Sequence, residues 1–230
     1  EIAQSECATG KPFSRFWVHV EYLLVDDQKM SKSLGNTYTI PDVLAKGFRP
    51  SAVRYLLLSA HYRKQLNFTW TSLAQAEEAL RRLTDFLVRL DGVTAEGSHP
   101  EIAARLEQAR TEFCEAMCSD LNTAGALGVL FELVRALNSA IDGGQIGAGD
   151  LPAIRETFDR FDQVLGVLSL RRAEDEQPPV PVDEIERLIE DRHAARRRRD
   201  FAAADRIRQD LADRGILLED SSAGTRWKRK

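Results

Sequence analysis

The chain has 230 residues, 43% of them hydrophobic and 30% charged, with a net charge of −4. Those values describe a globular chain long enough for one good core or two small ones, and they exclude a non-specific nucleic-acid binder, which needs a strongly positive balance. No run approaches the roughly 18 apolar residues of a membrane span, so no membrane association is expected. The start, Glu1-Ile2-Ala3-Gln4, has neither the basic nor the apolar region of a signal peptide, and it reads as an internal stretch of a longer protein. Cys7, Cys114 and Cys118 are odd in number and irregularly spaced, which points to reduced thiols in a cytoplasmic protein. Cys114 and Cys118 stand i, i+4 on an expected helix with no third ligand near in sequence, so incidental thiols are the simpler reading.

In chain order, residues 11–36 carry the first strand signals. Phe16 to Val20 and Tyr22 to Val25 are rich in aromatic and β-branched residues and are broken by Asp26-Asp27. The expectation is a short hairpin whose far arm delivers a lysine-rich loop, with His19 packed among aromatics. Residues 40–63 read as two helical pieces, with Thr39 as a cap, Pro41 and Pro50 in first turns, and Val53, Leu56, Leu57 and Ala60 as an apolar face. From 71 to 170 the pattern is four helices. The first carries Leu73, Ala76, Leu80, Leu83, Leu87 and Leu90, with Ser72 and Gln75 as a capping box and Gly92 as a stop. The second has Ile102, Leu106, Ala109 and Phe113 on one side. The third, capped by Thr123, has Leu127, Leu130, Val134, Leu137 and Ile141; the fourth, opened by Asp150 and Pro152, has Ile154, Phe158, Phe161, Leu165 and Leu168. Similar lengths and short connections predict an antiparallel bundle.

Residues 171–182, charged and then proline-rich at Pro178-Pro179-Val180-Pro181, read as an extended linker. After it, Asp183 is expected to cap a helix that turns basic at Arg196 to Arg199. Asp200 caps a second helix that stops at Gly215. Ile216 to Asp220, a Ser-Ser-Ala-Gly turn and Thr225-Arg226-Trp227 read as a terminal hairpin, with Trp227 as a hydrophobic plug. The basic run has two readings, a macrodipole-favoured helix end and an RNA-facing patch, and Lys228-Arg229-Lys230 adds to the patch.

The densest chemistry lies in Lys29-Met30-Ser31-Lys32-Ser33, followed by Leu34-Gly35-Asn36. Two ammonium groups and two hydroxyls in five residues can line a polyphosphate, and the segment has no Walker pattern. It resembles the signature loop of class I aminoacyl-tRNA synthetases, which closes over ATP during amino-acid activation. That resemblance implies ATP-binding roles for Lys29, Met30, Ser31, Lys32 and Ser33, and catalytic roles for Lys32 and Lys29 in stabilising developing phosphate charge.

Further motifs narrow the likeness to the cysteine-specific family. Glu1-Ile2-Ala3-Gln4-Ser5-Glu6 is similar to the tail of that family's H-H-E-N-E-I-A-Q-S segment. His61-Tyr62-Arg63 matches its stem-contact region, although a helix-packing surface explains those residues equally well. Met117 to Thr123 resembles a turn motif of the same subgroup, and R-x-x-x-D-F-A-A-A-D-x-I-R with Glu219-Asp220 continues the match to the C-terminus. The resemblance implies a mainly α chain in four parts. These are the tail of a class I catalytic α/β domain (1–63), an antiparallel helical bundle (64–170), a linker (171–182) and a small α+β anticodon module (183–230).

In that family the anticodon is read by residues matching Arg196, Phe201, Asp205 and Asp220, with Phe201 in place of a tryptophan found in some relatives. Glu1 matches a zinc ligand whose companion ligands are missing from this sequence, as is the family's H-I-G-H motif. Zinc is therefore expected only in a full-length enzyme, and this chain by itself is expected not to form cysteinyl-adenylate. The implied partners are a cysteine tRNA, ATP and cysteine, for a monomeric protein. Two alternatives are a tRNA-binding protein without catalysis and a relative of the ligase that joins cysteine to an aminosugar. The basic module after the prolines argues against the second.

Overall fold

The computed structural model describes residues 1–176, 180–198, 200–221 and 224–229. Helix α1 (Ile2–Thr9) buries none of its residues and ends at Gly10 in left-handed conformation. No apolar stripe announces it, which is why periodicity does not find it. Strands β1 (Leu23–Val25) and β2 (Gln28–Lys29) form the expected hairpin, one segment later than the aromatic run suggests. Asp26 and Asp27 both take positive φ, as a two-residue hairpin turn of mirror type requires. Asn67 fixes the turn by accepting from the Asp27 N–H at 3.0 Å and donating to its carboxylate at 2.7 Å. Phe16 to Val20 is not a strand. It has no backbone neighbour to pair with, and Phe16 and Val20 are 85% and 72% exposed.

Helices α2 (Ile40–Ala45) and α3 (Pro50–Leu58) then cross over to β3 (Leu66–Phe68), which lies parallel to β1 and completes a sheet of order β2-β1-β3. Thr39 and Asp42 close a reciprocal capping box on α2. In α3 the buried residues are Ser51, Ala52, Val53 and Leu56; Leu57, expected inside, is half exposed, and Ala60 lies beyond the helix end.

The bundle is α4 (Trp70–Asp91), α5 (Pro100–Cys118), α6 (Thr123–Asp142) and α7 (Leu151–Leu165). The cap of α4 is Thr69 with Ser72, one turn earlier than Ser72 with Gln75, because Trp70 is drawn into a ring cluster with Tyr38, Phe48 and Phe68. Phe86 is fully buried where the stripe offers Leu87, which is only half-buried. Asn122, not Thr123, caps α6; the Thr123 hydroxyl donates instead to the Leu58 carbonyl at 2.8 Å and ties the bundle to α3. Asp150 precedes α7, but its carboxylate serves the neighbouring loop, accepting from Gly147 N–H, His99 N–H and the Ser98 hydroxyl. That loop packs backbone to backbone: a Cβ on Gly147 would stand 2.3 Å from the Gly97 carbonyl oxygen. Helix α6 is long and apolar enough in composition to cross a membrane, which the sequence reading overlooks; its Leu127, Leu130, Leu133 and Leu137 are buried in the bundle core.

After Gly166 in left-handed conformation comes α8 (Leu168–Glu176), so Leu168 belongs to a new helix and 171–176 is not extended. Asp162 caps this helix through three N–H groups, of Val167, Leu168 and Ser169. The prolines Pro178 and Pro179 of the expected linker lie outside the described residues. Helix α9 (Val182–Arg197) is preceded by Pro181, which takes the cap position expected of Asp183; Asp183 falls in the first turn. Helix α10 (Phe201–Asp213) is capped by Asp200, as the sequence indicates. Strands β4 (Ile216–Ser221) and β5 (Gly224–Arg229) pair antiparallel. Val180, Ile185, Leu211, Ile216 and Leu218 form a separate small core, with Trp227 packed on it, as expected of a plug. Arg199, Lys230 and the turn residues Ser222 and Ala223 lie outside the described residues.

The main core holds two ring pairs, Phe86 on Phe158 at 5.2 Å and Phe113 stacked on Phe161 at 4.1 Å. Phe158 is 1% exposed. Phe158→Ala should therefore cost about 3–5 kcal/mol through lost burial and a residual cavity, read from denaturant unfolding followed by far-UV circular dichroism.

Candidate functional site

Three groups of polar residues stand out, at the lysine loop, at the joint between α3 and the bundle, and in the C-terminal module. The lysine loop follows directly from β2. Its shape is set by Asn36, whose side chain accepts from the Ser31 N–H at 2.8 Å and donates to the Lys29 carbonyl at 3.2 Å. Ser31 accepts from the Leu34 N–H and its hydroxyl meets that of Ser33 at 3.2 Å, winding Lys32–Leu34 into a short 3-10 turn that Gly35 closes in left-handed conformation. Lys32 is exposed at the outer edge of this turn. Lys29 lies with its ammonium 4.8 Å from the centre of the Tyr22 ring, a cation–π contact. Met30 packs inward against the core, so among Lys29 to Ser33 it anchors and the lysines and hydroxyls face out. Sequence pattern alone does not reveal Asn36 as the support of the loop.

At the joint, His61, Tyr62 and Arg63 all converge on Asp120, in the α5–α6 turn. Tyr62 donates its hydroxyl to the Asp120 carboxylate at 2.6 Å, Arg63 donates at 2.7 Å, and a His61 ring nitrogen lies 3.0 Å from the Asp120 carbonyl. The Arg63 hydrogen bond, then that of Tyr62, holds the Asp120 carboxyl below the usual range. Asp120 and Leu121 both have φ of 55°, an uncommon conformation for side-chain-bearing residues, kept in place by these bonds. The packing reading of His61-Tyr62-Arg63 is thus met by specific contacts; the sequence offers no sign that Asp120 is their partner.

In the C-terminal module Asp220 is held by Arg192, which the sequence shows only as one member of the basic run Arg192, His193 and Arg196 to Arg199. Arg192 is 3% exposed and donates twice to Asp220, at 2.9 and 2.7 Å. The Thr225 hydroxyl donates to the same carboxylate at 2.7 Å, and Arg196 reaches it at 3.4 Å. The Arg192 bond, then that of Thr225, depresses the Asp220 carboxyl well below its ordinary value. The charge of Asp205 on α10 also acts on Arg192. Phe201, one turn before Asp205 on the same helix, is 60% exposed. Arg196 thus meets a carboxylate, Asp220, whose oxygens already accept from Arg192 and Thr225, while Phe201 and Asp205 stand exposed on α10.

Glu1 stands exposed at the start of α1. Among the described residues no three His, Cys, Asp or Glu side chains gather in a way that could hold a metal ion. One carboxylate does not supply the three or four ligands that zinc takes from a protein, so no chemical step is assigned to zinc here.

Family comparisons match three successive parts of the chain. Residues 1–78 match the family model described as tRNA synthetases class I (C) catalytic domain, residues 112–169 a DALR domain, and residues 181–227 a cysteinyl-tRNA ligase anticodon binding domain. Among similar proteins, the cysteine–tRNA ligase of Solibacter usitatus is 50% identical over the whole chain and that of Geobacter sulfurreducens 44%. The cysteine–tRNA ligase of Koribacter versatilis is 40% identical, again over the whole chain. The chain spans 49%, 51% and 52% of those relatives, about half the length of each.

The Asp220 cluster also sets a pH dependence. A carboxyl depressed in the folded state contributes stability that is fully present above its unfolded value of about 4 and is lost as pH falls below it. The C-terminal module should therefore lose stability first on acidification below about pH 4. Asp220→Asn should abolish that dependence and cost roughly 1–3 kcal/mol at neutral pH. The figure is reduced from that of a fully buried pair because Asp220 is partly open to solvent. Melting from pH 7 to pH 3 of a chain carrying Trp17→Phe and Trp70→Phe, so that the fluorescence comes from Trp227, reads both.

Proposed function

The chain belongs to the cysteinyl-tRNA synthetase family, and we propose that it supplies two surfaces of a cysteine–tRNA ligase, the ATP-phosphate loop and the anticodon reader. In such an enzyme the cysteine carboxylate attacks the α-phosphorus of ATP and pyrophosphate leaves; the tRNA then takes the cysteinyl group and AMP is released. Charge builds on the phosphates as pyrophosphate departs. Lys32, presented by a turn that Asn36 has already shaped, stabilises that charge with little reorganisation. Lys29 reaches the same phosphates by leaving the Tyr22 ring, and the Ser31 and Ser33 hydroxyls add donors.

In the C-terminal module, Asp205 accepts from the amino or imino group of a splayed base, Arg196 donates, and Phe201 stacks. Asp220 acts mainly by orienting Arg196, since its own oxygens are engaged. The family assigns zinc to recognition of the cysteine thiol. The described residues of this chain gather no such ligand set, and the reading leaves zinc to the rest of a full-length enzyme. A cytoplasmic location fits three exposed, unbridged cysteines.

The observation that carries this reading is the cluster in which Arg192 and Arg196 both reach Asp220 while the charge of Asp205 acts on Arg192, with Phe201 exposed on the helix that carries Asp205. The test is binding of the chain to a cysteine tRNA transcript and to one with a changed anticodon, across a salt series. Weaker binding of the changed transcript at every salt concentration is the expected result, with Phe201→Ala losing about 1–3 kcal/mol on the native one. Equal binding of both, with a steep salt slope, would reduce the module to a basic surface on phosphates. A separate assay addresses chemistry: the chain alone should give no cysteine-dependent ATP–pyrophosphate exchange, and measurable exchange would overturn the assignment of the remaining catalytic groups to other residues.

A further inference from the structure

Cys114 and Cys118 lie one turn apart in the last stretch of α5, and both are exposed. Residues at i and i+4 place their Cβ atoms about 5–6 Å apart on one helix face. A disulfide needs about 3.5–4.5 Å between Cβ atoms, so the pair cannot close into one while the helix stays intact. Two bonds of about 2.3 Å to an interposed soft atom, the length of a metal–thiolate bond, do span that gap. The Cys118 charge, a hydrogen bond to Cys118, burial and the charge of Glu115 raise the Cys114 thiol above its ordinary value, in keeping with two sulfurs that stand close together.

Among the described residues no third His, Cys, Asp or Glu joins the pair into a larger ligand cluster. That fits a centre satisfied by two sulfurs and not a tetrahedral zinc site. We propose that Cys114 and Cys118 form a dithiol site for soft, thiol-seeking centres that take two sulfur ligands. The site stands immediately before the Ser119-Asp120 turn that grips His61, Tyr62 and Arg63, so a bridging ligand clamps the helical turn leading into that joint.

The probe is phenylarsine oxide, titrated into the full chain carrying Cys7→Ser in the presence of excess 2-mercaptoethanol, which displaces arsenic from single thiols. The excess thiol first converts the reagent to its bis-mercaptoethanol adduct with loss of water. At the protein two As–S bonds to Cys114 and Cys118 form, two As–S bonds to mercaptoethanol break, the two protein thiol protons leave on the released mercaptoethanol, and no electrons are transferred. The expected result is one arsenical per chain by native mass spectrometry and, once gel filtration has removed the mercaptoethanol, two fewer thiols per chain reacting with Ellman's reagent. Cys114→Ser and Cys118→Ser should each weaken binding by about 100-fold or more, the scale of a lost second attachment. Two arsenicals per chain, or single variants that bind as tightly as the pair, would overturn the proposal. Circular dichroism of both variants, expected to match the parent, keeps a folding defect from imitating the loss.

Discussion

Two arginines buried side by side between α3, α4 and α8 set the geometry on which the rest of the chain depends. Arg49 and Arg171 are 2% and 6% exposed. Burial, then the charge of Arg171, pushes the Arg49 guanidinium down from its ordinary value, and the Asp175 and Glu77 carboxylates oppose that shift. Three carboxylates answer it. Arg49 donates to Asp175 at 2.6 Å, and Arg171 pairs with Glu77 at 2.8 Å. Glu174 accepts from the N–H and hydroxyl of Ser51 at 2.8 and 2.7 Å and stands 3.8 Å from Arg171. Removing one partner of such a set leaves an uncompensated buried charge, so α8 is held on the first turn of α3. The crossover that places the lysine loop and the bundle that follows it are thereby fixed to each other.

That network explains where sequence reasoning succeeds and where it stops. Residues 171–176 are charged and precede prolines, which locally is the profile of a spacer. They are helical because Asp162 caps them and because Arg171, Glu174 and Asp175 meet partners more than a hundred positions earlier. Charge patterning within a window carries no record of such partners. The bundle is legible for the opposite reason. Ile102, Leu106, Ala109 and Phe113 repeat at helical spacing, and periodicity is a local property. Caps fall between the two cases: Asp200 and Thr39 are read correctly, whereas Thr69 loses its place in the reading to Ser72 because the Trp70 ring cluster, not the cap, decides where α4 begins.

The same division runs through the candidate site. The lysines and hydroxyls of Lys29 to Ser33 are consecutive, so their chemistry is visible in the sequence. Arg192 and Asp220 are 28 positions apart and Tyr62 and Asp120 are 58 apart, so neither pairing is visible. Arg192 differs from Arg196, Arg197 and Arg198 only in falling on the inner face of α9. Burial, not residue type, makes it the centre of its cluster.

A common construction follows from these contacts. Several exposed polar groups are backed by a polar residue that does not itself face outward. Asn36 stands behind Lys29 and Ser31, Asp120 behind Tyr62 and Arg63, and Arg192 behind Asp220 and, through it, Arg196. A long cation on a surface loses rotamer freedom when it binds, and prior hydrogen bonds to its backbone or its counter-ion reduce that loss. Asp205 and Asp220 illustrate the difference this makes. They have the same chemistry and lie near the same arginine. Asp220 has committed both oxygens to internal donors, whereas Asp205 stays exposed on α10. The carboxylate with acceptor capacity left is the one suited to a base edge, and the saturated one is suited to holding the arginine beside it.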